Sequence, residues 1–349
     1  MEFKEVNELN KLRKNNRKIA IAFFLGIAIL LAAIILSLMS GSYHMSADRV
    51  IDTLLGNGSR AENLVIVKIR LPRMVIAIIV AFALSSAGTI LQTISKNPLC
   101  EPGMMGINSG AALAVVAYIT LSTGAYYDTL SRNKIFLMPL VAIFGACLVS
   151  TIIFLIAIKK GKINPIRLIL VGMGVNAGIN AIITYFELNM GRGDFNEVLV
   201  WTSGSLWGTS WDYIKAVGPL VLLLTIIVFC QYRRLDLLKL GDELATGLGL
   251  NVAMETTKLY ILAILLSALA TAVAGNIAFL GLIGPQFARV LVGDRHKFII
   301  PLGGIISSII LIVADIVARN LFSPIEIPVG ICVSMIGVPI FVYFLVKER

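Results

Sequence analysis

The side chains able to do chemistry in this sequence are few, and the closest of them fall in pairs. Arg70 and Arg73 stand three positions apart in "VKIRLPRMV", and Asp315 and Arg319 stand four apart in "ADIVARN". The second spacing places both groups on one helical face, one turn apart, so Asp315 and Arg319 can form a local ion pair. An arginine fork can also take a carboxylate bidentately. Neither pair makes a catalytic constellation. His44 and His296 are far apart and fall in expected loops, and Cys100, Cys147, Cys230 and Cys332 are scattered without metal-type spacing. No metal site is expected, and the cysteines read as reduced packing residues. The chain has no G-x-x-x-x-G-K-[ST], H-E-x-x-H or G-x-S-x-G motif, so no hydrolytic site and no enzyme is expected. Ionisable residues deep inside the apolar runs are nearly absent, which argues against a proton relay and places the energy source in another protein.

The elements that carry these residues are membrane helices. Of 349 residues, 58% are hydrophobic and 14% charged, and the mean hydropathy is +0.89, which excludes a water-soluble globular domain. The net charge of +10 lies in short basic clusters between apolar runs, the form of a topology signal rather than a nucleic-acid site. A bilayer core requires roughly 20 apolar residues per helix. Such runs fall near 19–40, 71–94, 104–122, 135–158, 167–187, 214–231, 257–276, 278–292, 299–318 and 327–346. The expected fold is therefore all-α and polytopic, with about ten transmembrane helices. The eighth is short enough to be a broken or re-entrant element.

Residues 1–18 carry six basic residues and read as a cytoplasmic tail, followed by a single transmembrane domain over 19–349. The first apolar run is too long for a signal-peptide core and lacks an A-x-A cleavage site, so it stays as the first membrane helix. With a cytoplasmic N-terminus, 20 of the 30 Lys and Arg residues fall inside, so both termini are expected in the cytoplasm and Arg70, Arg73 and Arg319 outside.

Four stretches stand out between or within the runs. "QTISKNPLCEPGMMGINSGAA" contains a tight turn over 95–103, expected at the cytoplasmic face. "QYRRLDLLKLGDELATGLGLNVAMETTK" (231–258) leaves the bilayer yet repeats leucine at helical spacing, at Leu237, Leu240, Leu244 and Leu248. It reads as one or two surface helices joined by a turn, a docking element for a soluble partner. "GMGVNAGINA" spaces Gly174 and Gly178 as G-x-x-x-G, and "PVGICVSMIGVP" offers Gly330 and Ser334 in the same manner; both are candidate helix-packing faces, within one chain or between two subunits. The loop holding Trp201, Trp207 and Trp211 reads as an interfacial anchor.

Taken together, "IRLPR" with "SSAGTILQTISKNPLCEPGMMGINSGA", "LGDELATGLGL", "AFLGLIGPQFARVLVGDRHKFIIP" and "LIVADIVARNLFSPIEIPVGICVSMIGVPIFVYFLVK" resemble the permease subunit of the ABC importers for iron siderophores, haem and cobalamin, the type II importers, over residues 64–349. The resemblance implies ten helices with inverted repeats, in which Gly-rich breaks and proline turns at Pro98 and Pro285 correspond. It implies two cytoplasmic ATPase subunits, a second permease copy or paralogue, an extracytoplasmic substrate-binding (lipo)protein, and the bacterial plasma membrane as location. ATP and Mg would be bound by the ATPase, and no cofactor by this chain. The resemblance gives Arg70, Arg73 and Arg319 to binding-protein docking. ATPase coupling falls to the loop at about 232–256, through Leu240, Gly241, Asp242, Glu243, Ala245, Leu248 and Gly249. The cytoplasmic gate corresponds to Asn97, Leu99, Asn164, Pro165 and Ile166. The expected cargo is an iron complex, a ferric siderophore first, with haem or cobalamin behind it. The competing reading is an ion-coupled secondary transporter with inverted repeats.

Overall fold

The computed structural model describes residues 2–41, 43–121, 132–159, 162–163, 165–323 and 325–347. Apolar sequence in a bilayer has no water to pair its backbone groups, so it closes them in helices. The helices are α1 (Glu2–Met39), α2 (Ala47–Leu54), α3 (Arg60–Asn63), α4 (Leu71–Ser95), α5 (Ile107–Leu121), α6 (Arg132–Ala157), α7 (Pro165–Asn189) and α8 (Arg192–Thr202). They continue as α9 (Trp211–Cys230), α10 (Tyr232–Lys239), α11 (Asp242–Gly247), α12 (Val252–Ala274), α13 (Leu280–Val292), α14 (His296–Asn320) and α15 (Val329–Lys347). A two-residue β-hairpin, Ile158–Lys159 against Lys162–Ile163, joins α6 to α7.

Among the described residues, eight helical runs are long and apolar enough to cross a membrane: α1 from Asn16, the continuous run Arg60–Ser95, α6, α7, α9, α12, α14 and α15. Two apolar helices are shorter, α5 with 15 residues and α13 with 13. At about 1.5 Å per residue they reach only about 20–23 Å, less than the hydrocarbon core. These ten fall on the ten expected segments. The first helix starts at Glu2, so the described part of the expected tail is continuous with it.

The bundle has two distinct ends. One carries α2, α3 and α8; the other carries the hairpin, α10 and α11. α1 comes from the α10 end and α15 ends toward it, because Ile19 packs with Ile299 and Val292, and Phe344 with Phe287. The centre is α4, which packs against α14, α12 and α13. Small residues set the approach: a Cβ on Gly88 would collide with the Gly281 backbone, and one on Gly110 with that of Gly145.

The short helices explain how the bundle is interrupted. α4 ends at Lys96 in the left-handed region (φ 53°), and the chain then doubles back through a 3₁₀ turn at Pro102–Met105 before α5 begins. α12 ends at Gly275 (φ 68°), and Phe279, also left-handed (φ 66°), starts α13. The turn expected wholly at the cytoplasmic face therefore extends inward past Cys100. Glu101 lies inside the bundle, accepting the Phe279 backbone N–H at 2.7 Å, which caps α13 at a position a bulky residue adopts only under strain. Asn108 at the start of α5 donates to Asn276 (2.7 Å) and accepts from Thr271 (3.1 Å).

Helix lengths then repeat in the two halves. α4 to α7 have 25, 15, 26 and 25 residues, and α12 to α15 have 23, 13, 25 and 19. α4 runs from the α8 end to the α10 end and α12 runs the opposite way, which makes the halves inverted. Pro98 lies in the first break, but Pro285 sits within α13, not in a turn.

Candidate functional site

At the α8 end, the start of α4 meets the last turns of α14. Arg73 donates to Asp315 through Nε (2.8 Å) and to Glu326 through Nη1 (2.8 Å). Arg319 pairs with the second Asp315 oxygen at 3.0 Å and reaches the Ser37 hydroxyl at 2.9 Å. Arg70 spends its fork on the carbonyls of Leu38 and Tyr43, each at 2.6 Å. All three arginines are buried, at 6%, 7% and 8% exposure. Each already has partners within the chain, and burial without them would cost several kcal/mol per ion, on the order usual for desolvated charges. The local Asp315–Arg319 pair is present as the spacing predicts. Arg73, 242 positions away from Asp315, is the partner that spacing could not reveal.

The exposed cations at this end among the described residues are others, including Arg49, Arg60, Lys68, Arg192 and Lys215. Beside Glu326, a cavity of about 740 Å³ opens between α6, α8, α9, α12 and the chain leading into α15, lined by Trp201, Trp207, Tyr213, Glu197 and Pro328. Trp211 is anchored separately, its indole N–H donating to the Val67 carbonyl at 2.8 Å.

At the α10 end, the loop after α9, expected as one or two surface helices, folds as two. Gly241 (φ 103°) makes the corner between them and Gly249 (φ 87°) follows α11, conformations open to glycine and costly for other residues. Leu237 of the repeat is half-buried, and Leu235 and Leu238, outside the repeat, form the buried face of α10. Leu240, Leu244 and Leu248 are 54–63% exposed, an apolar face turned away from the bundle. Ala245 is fully buried, Glu243 is exposed, and Asp242 pairs with Lys96 at the end of α4 (2.9 Å).

Inside this end lies a chain of contacts that sequence reasoning missed. Asp236 of α10 accepts both the backbone N–H (3.0 Å) and the ring Nδ1–H (2.6 Å) of His296, the first residue of α14. The other ring nitrogen lies 2.9 Å from the Thr93 hydroxyl on α4. His296 is 1% exposed, not in a loop. Burial pushes the Asp236 carboxyl up, but the hydrogen bonds from His296, with the charge of Lys239, outweigh it and hold it below the usual carboxylate range. Arg289 of α13 donates to Gln92 (2.6 Å) and to Gln286 (3.0 Å).

The expected gate is placed only in part. Asn97 holds its turn by accepting the Leu99 N–H at 2.9 Å. Asn164 lies outside the described residues, Pro165 opens α7, and Ile166 in its first turn is 71% exposed. The packing faces also divide. Gly174 and Gly178 have open space where a Cβ would stand, whereas Gly330 packs against the Ser203 and Asn276 carbonyls of its own chain, with Ser334 half-buried. Packing between chains is thus open to the α7 glycines, and Gly330 serves within the subunit.

The sequence and the fold both have counterparts. Residues 29–347 match the FecCD transport family. The chain belongs to that family. It is 43% identical over 314 residues, 90% of this chain and 93% of the other, to the iron(3+)-hydroxamate import system permease protein FhuG of Bacillus subtilis. It is 34% identical to the iron-uptake system permease protein FeuC of the same organism, over 94% of this chain and 97% of that one. Its fold superimposes with a TM-score of 0.81, at 26% identity, on a structure described as an inward-facing conformation of a metal-chelate type ABC transporter, covering 94% of this chain and 99% of that one. This chain is accordingly a multi-pass membrane protein and a transport permease with the type II ABC permease fold.

Proposed function

We propose that this chain is the transmembrane subunit of an ATP-driven importer that carries iron complexes, ferric siderophores foremost, across the bacterial plasma membrane. The observation that carries the reading is the exposed leucine face of α10 and α11 at the end of the bundle opposite the arginine cluster. An exposed apolar face of that kind marks a contact with a soluble partner, here one of two cytoplasmic ATPase subunits that bind ATP and Mg and do the hydrolysis. The α10 end, with both termini, then faces the cytoplasm. The family relatives named for ferric hydroxamate and iron uptake support the cargo class.

The α8 end would receive the extracytoplasmic binding protein. Because Arg70, Arg73 and Arg319 are engaged internally, steering of that protein rests on Arg49, Arg60 and Lys68, while the buried arginines hold the platform rigid. Exposed pairs of this kind contribute about 0.2–1 kcal/mol each and act mainly on the encounter rate. The open Gly174–Gly178 face of α7 would pack on a second permease copy or paralogue. Asn97, Leu99 and the start of α7 around Ile166 would close the inner mouth.

The competing reading, a secondary transporter, draws on Glu101, a buried carboxylate in the bundle interior. Its bond to the Phe279 N–H gives it a structural task instead. Reconstitution in liposomes with the ATPase and binding protein decides between the two. Uptake of a ferric hydroxamate complex should require ATP and survive collapse of ion gradients; uptake driven by a gradient without ATP would overturn the importer reading.

A further inference from the structure

The α10 helix does more than carry α11. It packs on α4 and α14 and is hydrogen-bonded into both: through Asp236 to the first residue of α14, and through His296 to the last turns of α4. α4 and α14 are the most extensively packed of the long pairs at the centre, and they are tied again at the α8 end by Arg73 and Asp315. A displacement of α10 along its axis therefore reaches both core helices, through packing and through the imidazole that links Asp236 to Thr93.

The bonding is arranged so that the imidazole keeps its grip in either protonation state. Asp236 only accepts, so Nδ1 carries a proton in both. When the ring is neutral, the Thr93 hydroxyl donates to Nε2. When the ring is protonated, Nε2–H donates to Thr93 Oγ1, and the hydroxyl proton turns to the Thr89 carbonyl, 2.8 Å away. No buried polar atom is orphaned by the change. Charged groups of the surrounding elements are Arg233, Arg234, Asp236 and Lys239 on α10, Arg289, Asp294, Arg295 and Lys297 around the turn into α14, and Lys96 after α4. Lys239 and Arg289 face Asp294, Arg234 pairs with Glu255, and Lys96 pairs with Asp242.

We propose that Asp236, His296 and Thr93 form the transmission joint of the subunit, positioning residues that convert movement of the α10–α11 surface helices into movement of α4 and α14. The proposal rests on the coupling role given to α10 and α11 above, and deepens it. A joint differs from a mere fastener in what its loss does: the partner still binds the exposed leucines, and the work no longer reaches the core.

The test uses the full complex of permease, ATPase and binding protein in liposomes, loaded with a ferric hydroxamate complex, and reads uptake per ATP hydrolysed. Asp236→Leu should keep the complex assembled and hydrolysing ATP while uptake per ATP falls about tenfold, within the range by which residues between two sites alter coupling. Asp236→Asn, whose amide oxygen still accepts both His296 bonds, should recover most of it, and its ratio should change little between pH 6 and pH 8. Thr93→Val, which removes only the α4 bond, should fall about threefold, and it decides the matter where Asp236→Leu does not assemble. Unchanged uptake per ATP in Asp236→Leu or Thr93→Val would overturn the joint, as would an Asn variant as uncoupled as the Leu variant. A wild-type complex that hydrolyses no ATP would instead overturn the importer reading itself, so the two failures are distinguishable.

Discussion

The same two helices, α4 and α14, are fastened at both ends by different chemistry. At the α8 end, Arg73 and Arg319 clasp Asp315 with all three side chains at most 8% exposed. At the α10 end, a histidine joins a threonine to an aspartate whose side chain is 36% exposed and belongs to a surface helix. The first arrangement uses buried charges, with Glu326 at its more exposed edge. The second uses shorter-range hydrogen bonds and includes an element that a partner can reach. Buried ion clusters fix a geometry, because losing one member strands the others. A hydrogen-bonded joint on a half-exposed helix can be shifted at lower cost. The contrast assigns rigidity to the receiving end and movement to the driven end.

Removing one group at each end should separate these roles. Asp315→Ala leaves two buried arginines with Glu326 as their only nearby carboxylate, and should destabilise the protein by about 3–5 kcal/mol, read as a loss of thermal stability in detergent. An Asp315→Ala variant as stable as wild type would remove the charge cluster from the account. Asp236→Ala should cost less, about 1–3 kcal/mol. The loss should be local, as faster amide exchange in α10 with α4 near Arg73 unaffected; exchange rising equally at both ends would erase the distinction.

Acidification sharpens the comparison further. The Asp236 carboxyl is held below its ordinary value, so its contribution is complete above that value and is lost as pH falls through the depressed one. Protection of α10 should persist at neutral pH and drop only below about pH 4. Loss of protection already near pH 6 would place the weak point elsewhere. The smallest effect belongs to Lys96→Ala. Its pair with Asp242 is about half exposed on both sides, so removing it should change stability by less than about 1 kcal/mol and less still at high salt.

Much of this architecture could be read directly from the chain. Ten apolar runs become ten helices because length and hydropathy alone decide whether a segment can satisfy its backbone in lipid. The leucine spacing after α9 likewise foretells helical structure at the surface, as one helix or two. Local ion pairing of Asp315 with Arg319 follows from one helical turn. What stayed hidden is the set of contacts across long separations: Arg73 with Asp315, His296 with Thr93 and Asp236, and Glu101 with Phe279. A polar residue beside a turn looks alike whether the turn lies in water or folds back into the bundle. That ambiguity put Glu101 and His296 in loops. The glycines show the same limit, since Gly174 and Gly330 share a spacing pattern, and only the structure separates an open face from a filled one.

The most direct test of opposed docking and driving ends is site-specific photocrosslinking in the assembled complex. A photoreactive side chain in place of Leu244 should capture the ATPase, and one in place of Arg49 should capture the binding protein, with neither capturing the other's partner. Capture of one and the same partner from both positions would contradict the account.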